Sequence, residues 1–178
     1  MSASVIACRK DHSNNNLAHI IKPAVALVKN TLAYNAAEGT ATTGSWTKRD
    51  FNTVEGESWF LSLNTSTSVI TVEPGMYYIK TSAPFVRTGY TNTSLYNEST
   101  SSHISEAQGN MYIKEDAGIE NIGQIKFEAV LTFTTSTNLS LRYYAANNDG
   151  GWALGSDSQN LTSAVKSNFS YISFEKLK

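Results

Sequence analysis

The chain has 178 residues, 40% of them hydrophobic and 11% aromatic, which suits one domain built round a single core. A formal net charge of −1 and a pI near 6.3 leave no basic excess to attract nucleic acid or an anionic membrane. Only 16% of residues are charged, below the roughly 25% usual in soluble domains, and Ser, Thr and Asn take the polar positions instead.

Residues 1–19 read as an N-terminal arm, in which Asp11-His-Ser-Asn-Asn-Asn16 favours turns and shows no periodic face. The domain is predicted to span 20–178. Ala18 to Tyr34 is apolar enough for a buried strand, although its Ala, Leu and Lys content also permits a short helix; Pro23 argues for an edge or first strand. Strand patterns then recur at Trp46 to Val54, Trp59 to Leu63, Ser68 to Glu73, Met76 to Val86, Ser94 to Glu98, His103 to Ser105, Met111 to Lys114, Gly123 to Thr134, Asn138 to Ala146 and Ser170 to Leu177. Ser68-Val-Ile-Thr-Val-Glu73 alternates apolar and polar residues, Pro74-Gly75 supplies a turn, and the two strands on either side are expected to meet there as an antiparallel pair. In Ile125-Lys-Phe-Glu-Ala-Val-Leu-Thr-Phe133 the apolar residues share one face. Gly, Asn, Ser and Thr clusters separate the strands, with Asn147-Asn-Asp-Gly-Gly151 the strongest turn, so an all-β antiparallel sandwich is expected and a βαβ arrangement is not.

Catalytic and metal signatures are not found. Cys8 has no second cysteine to pair with and no Gly-rich elbow around it. His12, His19 and His103 lack metal-ligand spacing with one another or with Cys8. Asp149 and Asp157 flank Trp152 in an oxygen-rich loop that would suit calcium, but turn residues of this kind more often face solvent. The acid pairs Glu55/Glu57 and Glu115/Asp116 read as solvated charges, and Ser45, Ser58 and Ser94 have no nucleophile elbow. No enzyme activity, metal or cofactor is expected. No basic stretch followed by an apolar run opens the chain as a secretion signal would, and nowhere do about eighteen apolar residues run together. The sequons at Asn64, Asn92, Asn97, Asn138, Asn160 and Asn168 are therefore read as products of a Ser/Thr/Asn-rich composition.

Thr47-Lys-Arg-Asp-Phe-Asn-Thr-Val54, Ile70-Thr-Val-Glu-Pro-Gly-Met-Tyr-Tyr-Ile79, Ser82-Ala-Pro84, Ser94-Leu-Tyr-Asn97 and Tyr171-Ile-Ser-Phe-Glu-Lys-Leu177 together carry a resemblance. The chain resembles the jelly-roll domain shared by tumour necrosis factor, the complement globular heads and many small bacteriophage structural proteins, and the phage members fit best. Where the complement-type pattern has phenylalanine before the glycine turn and after the tyrosine, this chain has Val69 or Ile70 and Ile79. The resemblance implies a homotrimer with a binding or structural role.

Aromatic content points the same way. Tyr77, Tyr78, Tyr90, Tyr96, Tyr112, Tyr143, Tyr144, Trp46, Trp59 and Trp152 exceed what one core face hides. Adjacent residues in a strand point to opposite faces, so in Tyr77-Tyr78 and Tyr143-Tyr144 one member faces the core and the other outwards. In the resembling family the outward aromatic face builds the threefold contact, which makes Tyr77, Tyr78, Phe85, Tyr143, Tyr144, Tyr171 and Phe174 trimer-interface candidates, with the outward member of each pair left open. The function implied is a capsid decoration (cement) protein of a bacteriophage virion, assembled in the host cytoplasm, whose trimer binds the major capsid protein. Arg9, Lys10, His12, Asn14, Asn15, Asn16 and Lys22 are the expected shell contacts. The alternative is the receptor-binding tip of a tail or head fibre recognising host surface glycan or protein, although no heptad or β-repeat shaft precedes the domain. A third reading is a carbohydrate-binding or cytokine-like module, with Trp152 as the glycan contact.

Overall fold

The computed structural model describes residues 23–32, 38–86, 88–113, 122–147, 153–154 and 167–178. Among these residues the chain forms eleven strands: β1 (Ala24–Leu32), β2 (Thr47–Lys48), β3 (Thr53–Gly56), β4 (Leu61–Asn64), β5 (Val69–Val72), β6 (Gly75–Val86), β7 (Gly89–Asn97), β8 (Ser102–Ile113), β9 (Ile122–Phe133), β10 (Thr137–Ala145) and β11 (Ser167–Lys176). They build two antiparallel sheets. The first runs β3-β1-β11-β6-β9, and the second runs β4-β5-β10-β7-β8 with β2 also paired to β10. This is the expected all-β jelly-roll sandwich.

Period-two alternation sets the core. Ile125, Phe127 and Ala129 of β9 point inwards while Lys126, Glu128 and Val130 point out, and Leu139, Leu141, Tyr143 and Ala145 do the same for β10. Tyr77, Ile79 and Phe85 of β6 meet Ile70 and Val72 of β5 from the opposite sheet. Each large apolar side chain buried in this way contributes about 1.5–3 kcal/mol.

Three local expectations are corrected. The strands flanking Pro74-Gly75 are not a paired hairpin: β5 pairs with β4 and β10 in the second sheet, whereas β6 pairs with β11 and β9 in the first. Pro74-Gly75 is therefore the corner at which the chain changes sheet. Tyr77 Oη donates to the Glu73 carbonyl across it at 2.8 Å, and a Cβ on Gly75 would lie 2.6 Å from the Lys178 carbonyl oxygen. Trp46 to Val54 is likewise not one strand but β2 and β3 in different sheets, joined by a crossing that buries Arg49 and Phe51. His103 to Ser105 and Met111 to Lys114 merge into β8, whose pairing with β7 shifts register between Ser94 and Tyr96 and so absorbs extra residues. Lys114 and Ala18 to Lys22 lie outside the described residues.

Two tight turns share one chemistry. Asn64 Oδ1 accepts from the Ser66 and Thr67 amides before Ser68 at φ 52°, and Asn97 Oδ1 accepts from the Ser99 and Thr100 amides before Ser101 at φ 51°. Two of the six sequon asparagines thus serve as turn caps.

Arg49 is fully buried at the β2–β3 crossing and joins several segments there. Its Nη1 donates to Glu38 Oε2 at 2.9 Å and to the Leu154 carbonyl at 2.8 Å, and its Nη2 donates to the Pro84 carbonyl at 2.5 Å. The guanidinium carbon lies 4.3 Å from the Phe85 ring centroid and 5.1 Å from that of Tyr143, one on each sheet. Glu38 also accepts from Asn30 and Ser170. Burial raises the Glu38 carboxyl above its ordinary range, against the attraction of Arg49. Pro84 itself is tolerated in a central strand because β11 pairs with β6 only as far as Ser82, which leaves the proline nitrogen no ladder bond to make on that side.

A second ionic cluster ties the β7–β8 turn to β10. Glu98 accepts from Ser140 Oγ at 2.7 Å and from Arg142 Nη2 at 3.0 and 3.1 Å, and Lys48 Nζ lies 3.1 Å away. Partial burial pulls the Glu98 carboxyl upwards, but the bonds from Ser140, Arg142 and Lys48 outweigh it and hold the carboxyl below its ordinary 4.5.

Glu38→Gln leaves the Arg49 cation buried without its counter-charge and is expected to lower stability by about 3–5 kcal/mol in urea denaturation. The Glu38→Met/Arg49→Met double variant should lose clearly less than the two single changes added together; strict additivity would show that the pair is not coupled. Because the folded-state value of Glu98 is depressed, its contribution is present above pH 4.5 and is lost as pH falls through the folded value. A Glu98→Gln variant should therefore show a shallower fall in stability on acidification below pH 4.5 than the parent, measured by thermal melting across that range.

Candidate functional site

The interface candidates divide into two groups. Tyr77, Phe85, Tyr143 and Phe174 are 0–1% exposed within one chain and belong to the sandwich core, so they have no surface to offer a neighbour. This corrects their expected role, and strand parity is the reason: each lies on the inward face of β6, β10 or β11. Tyr78, Tyr144 and Tyr171 occupy the outward parity and are half-buried. In both tyrosine pairs the first member is the core residue and the second the outward one. Arg9, Lys10, His12, Asn14, Asn15, Asn16, Lys22 and Trp152 lie outside the described residues.

On the outer face of the first sheet, cross-strand register sets Val25, Glu175, Tyr78 and Val130 in one row across β1, β11, β6 and β9. Val25 and Val130 are among the few large apolar side chains left exposed. The Tyr78 hydroxyl donates to the Glu128 carboxylate, a bond that, together with slight burial and negative neighbours, raises the phenol above its ordinary range. Lys80 Nζ sits 4.8 Å from the Tyr78 ring centroid, and Tyr171 stands further along β11 between Lys29 and Ser82. The result is an apolar and aromatic stripe bordered by charges of both signs.

The outer face of the second sheet carries a denser cluster that the linear sequence did not single out. Arg142 projects outwards between the buried Leu141 and Tyr143, stacks 3.5 Å above the Tyr96 centroid and binds Glu98. His103 lies between Tyr96 and Trp46, with centroids 4.9 and 4.2 Å away, and Trp46 also meets Tyr144 at 6.1 Å. Burial, reinforced by the Arg142 charge, lowers the His103 pKa and keeps the imidazole neutral at pH 7. The sequence signals for this cluster are the parity of β10 and the surplus of aromatics that includes Trp46, Tyr96 and Tyr144. Further along the same face Tyr90 and Tyr112 pair across β7 and β8, 71% and 58% exposed, with centroids 4.8 Å apart.

A third feature is a shallow groove at the sheet-changing corner, where Trp59, 69% exposed, lies beside Lys176, Leu177 and Pro23. Lys176 Nζ is 4.8 Å from the Trp59 centroid and donates to the Pro74 carbonyl.

Among the described residues no three His, Cys, Asp or Glu side chains come together as a metal site, and no helix is long and apolar enough to cross a membrane. Glu55 is held by Lys29 at 2.7 Å, a structural pairing between β3 and β1. Cys8, His12, His19, Glu115, Asp116, Asp149 and Asp157 lie outside the described residues.

No protein-family model and no curated protein matches the sequence. Solved structures do match in shape. Murine APRIL at pH 5.0 superposes with a TM-score of 0.57 at 11% identity, covering 88% of this chain and 100% of its own. Eiger TNF from S. frugiperda gives 0.56 at 12% identity over 88% and 94% of the two chains, and the globular domain of zebrafish complement 1qA protein gives 0.51 at 14% over 88% and 98%. At such identities the likeness is one of fold, and the chain has the jelly-roll fold common to tumour necrosis factor and the complement 1q globular head.

Proposed function

We propose that this protein is a non-enzymatic, homotrimeric jelly-roll module of a bacteriophage virion, a capsid decoration protein that binds the major capsid protein and stabilises the shell. Support for the phage assignment comes from the sequence resemblance at Thr47 to Val54, Ile70 to Ile79 and Tyr171 to Leu177. The observation that carries the oligomeric part is the row Val25–Glu175–Tyr78–Val130, which leaves two valines and a tyrosine on the open face of the first sheet. Burying such a stripe against a copy of itself removes apolar area from water without new chemistry. Three N-terminal segments joined through one trimer then hold a shell far more tightly than one, because the second and third contacts are intramolecular. Arg9, Lys10, His12, Asn14, Asn15, Asn16 and Lys22 are the residues assigned to that contact.

The protein is expected to sediment as a trimer, and Val130→Asp should weaken trimer association at least tenfold while leaving the β-sheet circular dichroism intact. A monomeric parent, or an unchanged trimer in the variant, would remove the stripe from the interface. Deleting residues 1–16 should leave a folded trimer that no longer stays on capsids; full occupancy by the truncated protein would move the shell contact onto the sandwich. Quantitative mass spectrometry of purified particles should find the chain in hundreds of copies per virion, whereas a few tens or fewer would favour a fibre tip and absence would overturn the virion assignment.

A further inference from the structure

Tyr90 and Tyr112 are the exposed large aromatic side chains on a continuous strip of the second sheet's outer face, and nothing in the trimer or shell reading uses them. Both are held on a well-tied backbone. Tyr90 sits opposite Tyr112 in the β7–β8 ladder, its carbonyl accepts from the Ala146 amide at 2.9 Å, and the neighbouring Thr88 carbonyl accepts from the Asn147 amide at 3.1 Å. Just beneath, the buried Thr88 and Thr91 hydroxyls bond each other at 2.7 Å. The two rings therefore project from a rigid support.

One row further along, about 7 Å by strand geometry, register places Tyr144, Asn92 and Asn110 side by side across β10, β7 and β8. The side-chain amides of Asn92 and Asn110 are exposed and make no hydrogen bond to another described residue. No side chain in these two rows is charged. In the next row the Arg142 guanidinium is already engaged by Glu98 and stacked on Tyr96. The strip thus offers flat aromatic faces at fixed positions, free amide donors and acceptors between them, and no net charge.

We infer that this strip is a binding platform for a neutral oligosaccharide. A sugar ring has an apolar C–H face that stacks on an aromatic plane and a rim of hydroxyls that both donate and accept, which is the pattern Asn amides satisfy. Tyrosine suits the task because it presents a large rigid surface with little side-chain entropy to lose. Rows about 7 Å apart are further apart than a single sugar ring reaches, so a chain of several units, not a monosaccharide, lies across Tyr90/Tyr112 and then Tyr144/Asn92/Asn110. A protein partner is the poorer match: a stable protein interface buries on the order of 1,600 Å² in total, and here two exposed rings lie among amides and hydroxyls. The inference does not rest on the virion assignment.

The test is isothermal titration of the full chain with neutral hexasaccharides of glucose, mannose, galactose and N-acetylglucosamine, and with acidic oligogalacturonate for comparison. At least one neutral probe is expected to bind, and Tyr90→Ala and Tyr112→Ala should each weaken it about tenfold, a difference of about 1.4 kcal/mol. Asn92→Ala should weaken it as well, whereas Trp59→Ala, an exposed aromatic at the far groove, should leave binding unchanged. Failure of every neutral probe, binding of oligogalacturonate alone, or equal binding by the two tyrosine variants would overturn the inference. So would a change of oligomeric mass in Tyr90→Ala or Tyr112→Ala, because it would place the pair in a contact between copies. All four substituted side chains are exposed, so the variants are expected to fold, and circular dichroism checks that they do.

Discussion

A cation with no access to water stands at the place where the two sheets come together. Arg49 cannot be deprotonated in a protein, so its charge must be met inside the core, and it is met by one carboxylate, two backbone carbonyls and two aromatic faces. Those partners come from the 38–49 segment, from β6, from β10 and from the 153–154 segment. Removing Glu38 or either carbonyl would strand guanidinium donors in a low-dielectric interior, where an unpaired charge is far more costly than a lost contact. The β2–β3 crossing, the end of β6 and the packing of Phe85 against Tyr143 are thereby fixed together. Such a pair is weak evidence of net stability, since desolvating both ions costs much of what their attraction returns. Any packing that separated Glu38 from Arg49 would leave two buried ions unpaired, a cost of several kcal/mol.

Strand parity then divides the aromatic residues between two tasks. Tyr77, Phe85, Tyr143 and Phe174 fill the interior, where Tyr77 packs against Phe60, Phe133 and Phe174 at centroid separations of 5.6–6.4 Å. Their neighbours Tyr78 and Tyr144 face out because a pleated strand leaves them no other choice. The first sheet presents its outward residues as a stripe beside the Lys29–Glu55 ion pair, and the second presents aromatics among amides. Two chemically different faces on one rigid sandwich suit a module that assembles through one surface and recognises through another.

The fold alone assigns neither task. APRIL, Eiger and the complement head share this architecture at 11–14% identity, a level at which surface residues have little in common. Any function therefore lies in particular side chains: Val25, Tyr78 and Val130 on one sheet, and Tyr90, Tyr112, Asn92 and Asn110 on the other. All of them lie on strands, where the sandwich core holds their positions.

Local chemistry alone determined much of this protein. The alternation of Ile125 to Phe133 specified a strand and its shared apolar face, Asn138 to Ala146 was legible as a strand, and Gly, Asn, Ser and Thr clusters in place of amphipathic helices spoke against a βαβ fold, because a side chain's parity depends only on its neighbours along the chain. The pairing of a core tyrosine with an outward one was legible for the same reason. Tertiary structure decided everything that depends on which strands pair. Pro74-Gly75 reads locally as a hairpin turn, yet β5 and β6 find hydrogen-bonding partners in opposite sheets and contribute Ile70, Val72, Tyr77 and Ile79 to one core. Phe85 and Phe174 read as surface aromatics until the second sheet covers them. Nothing local in Thr47-Lys-Arg-Asp50 marks Arg49 as buried, and only Glu38, Pro84 and Leu154, arriving from distant segments, give its charge partners in the interior. The Arg142–Tyr96–His103 cluster and the Tyr90–Tyr112 pair likewise exist only across strands, where register, a non-local property, sets the distances.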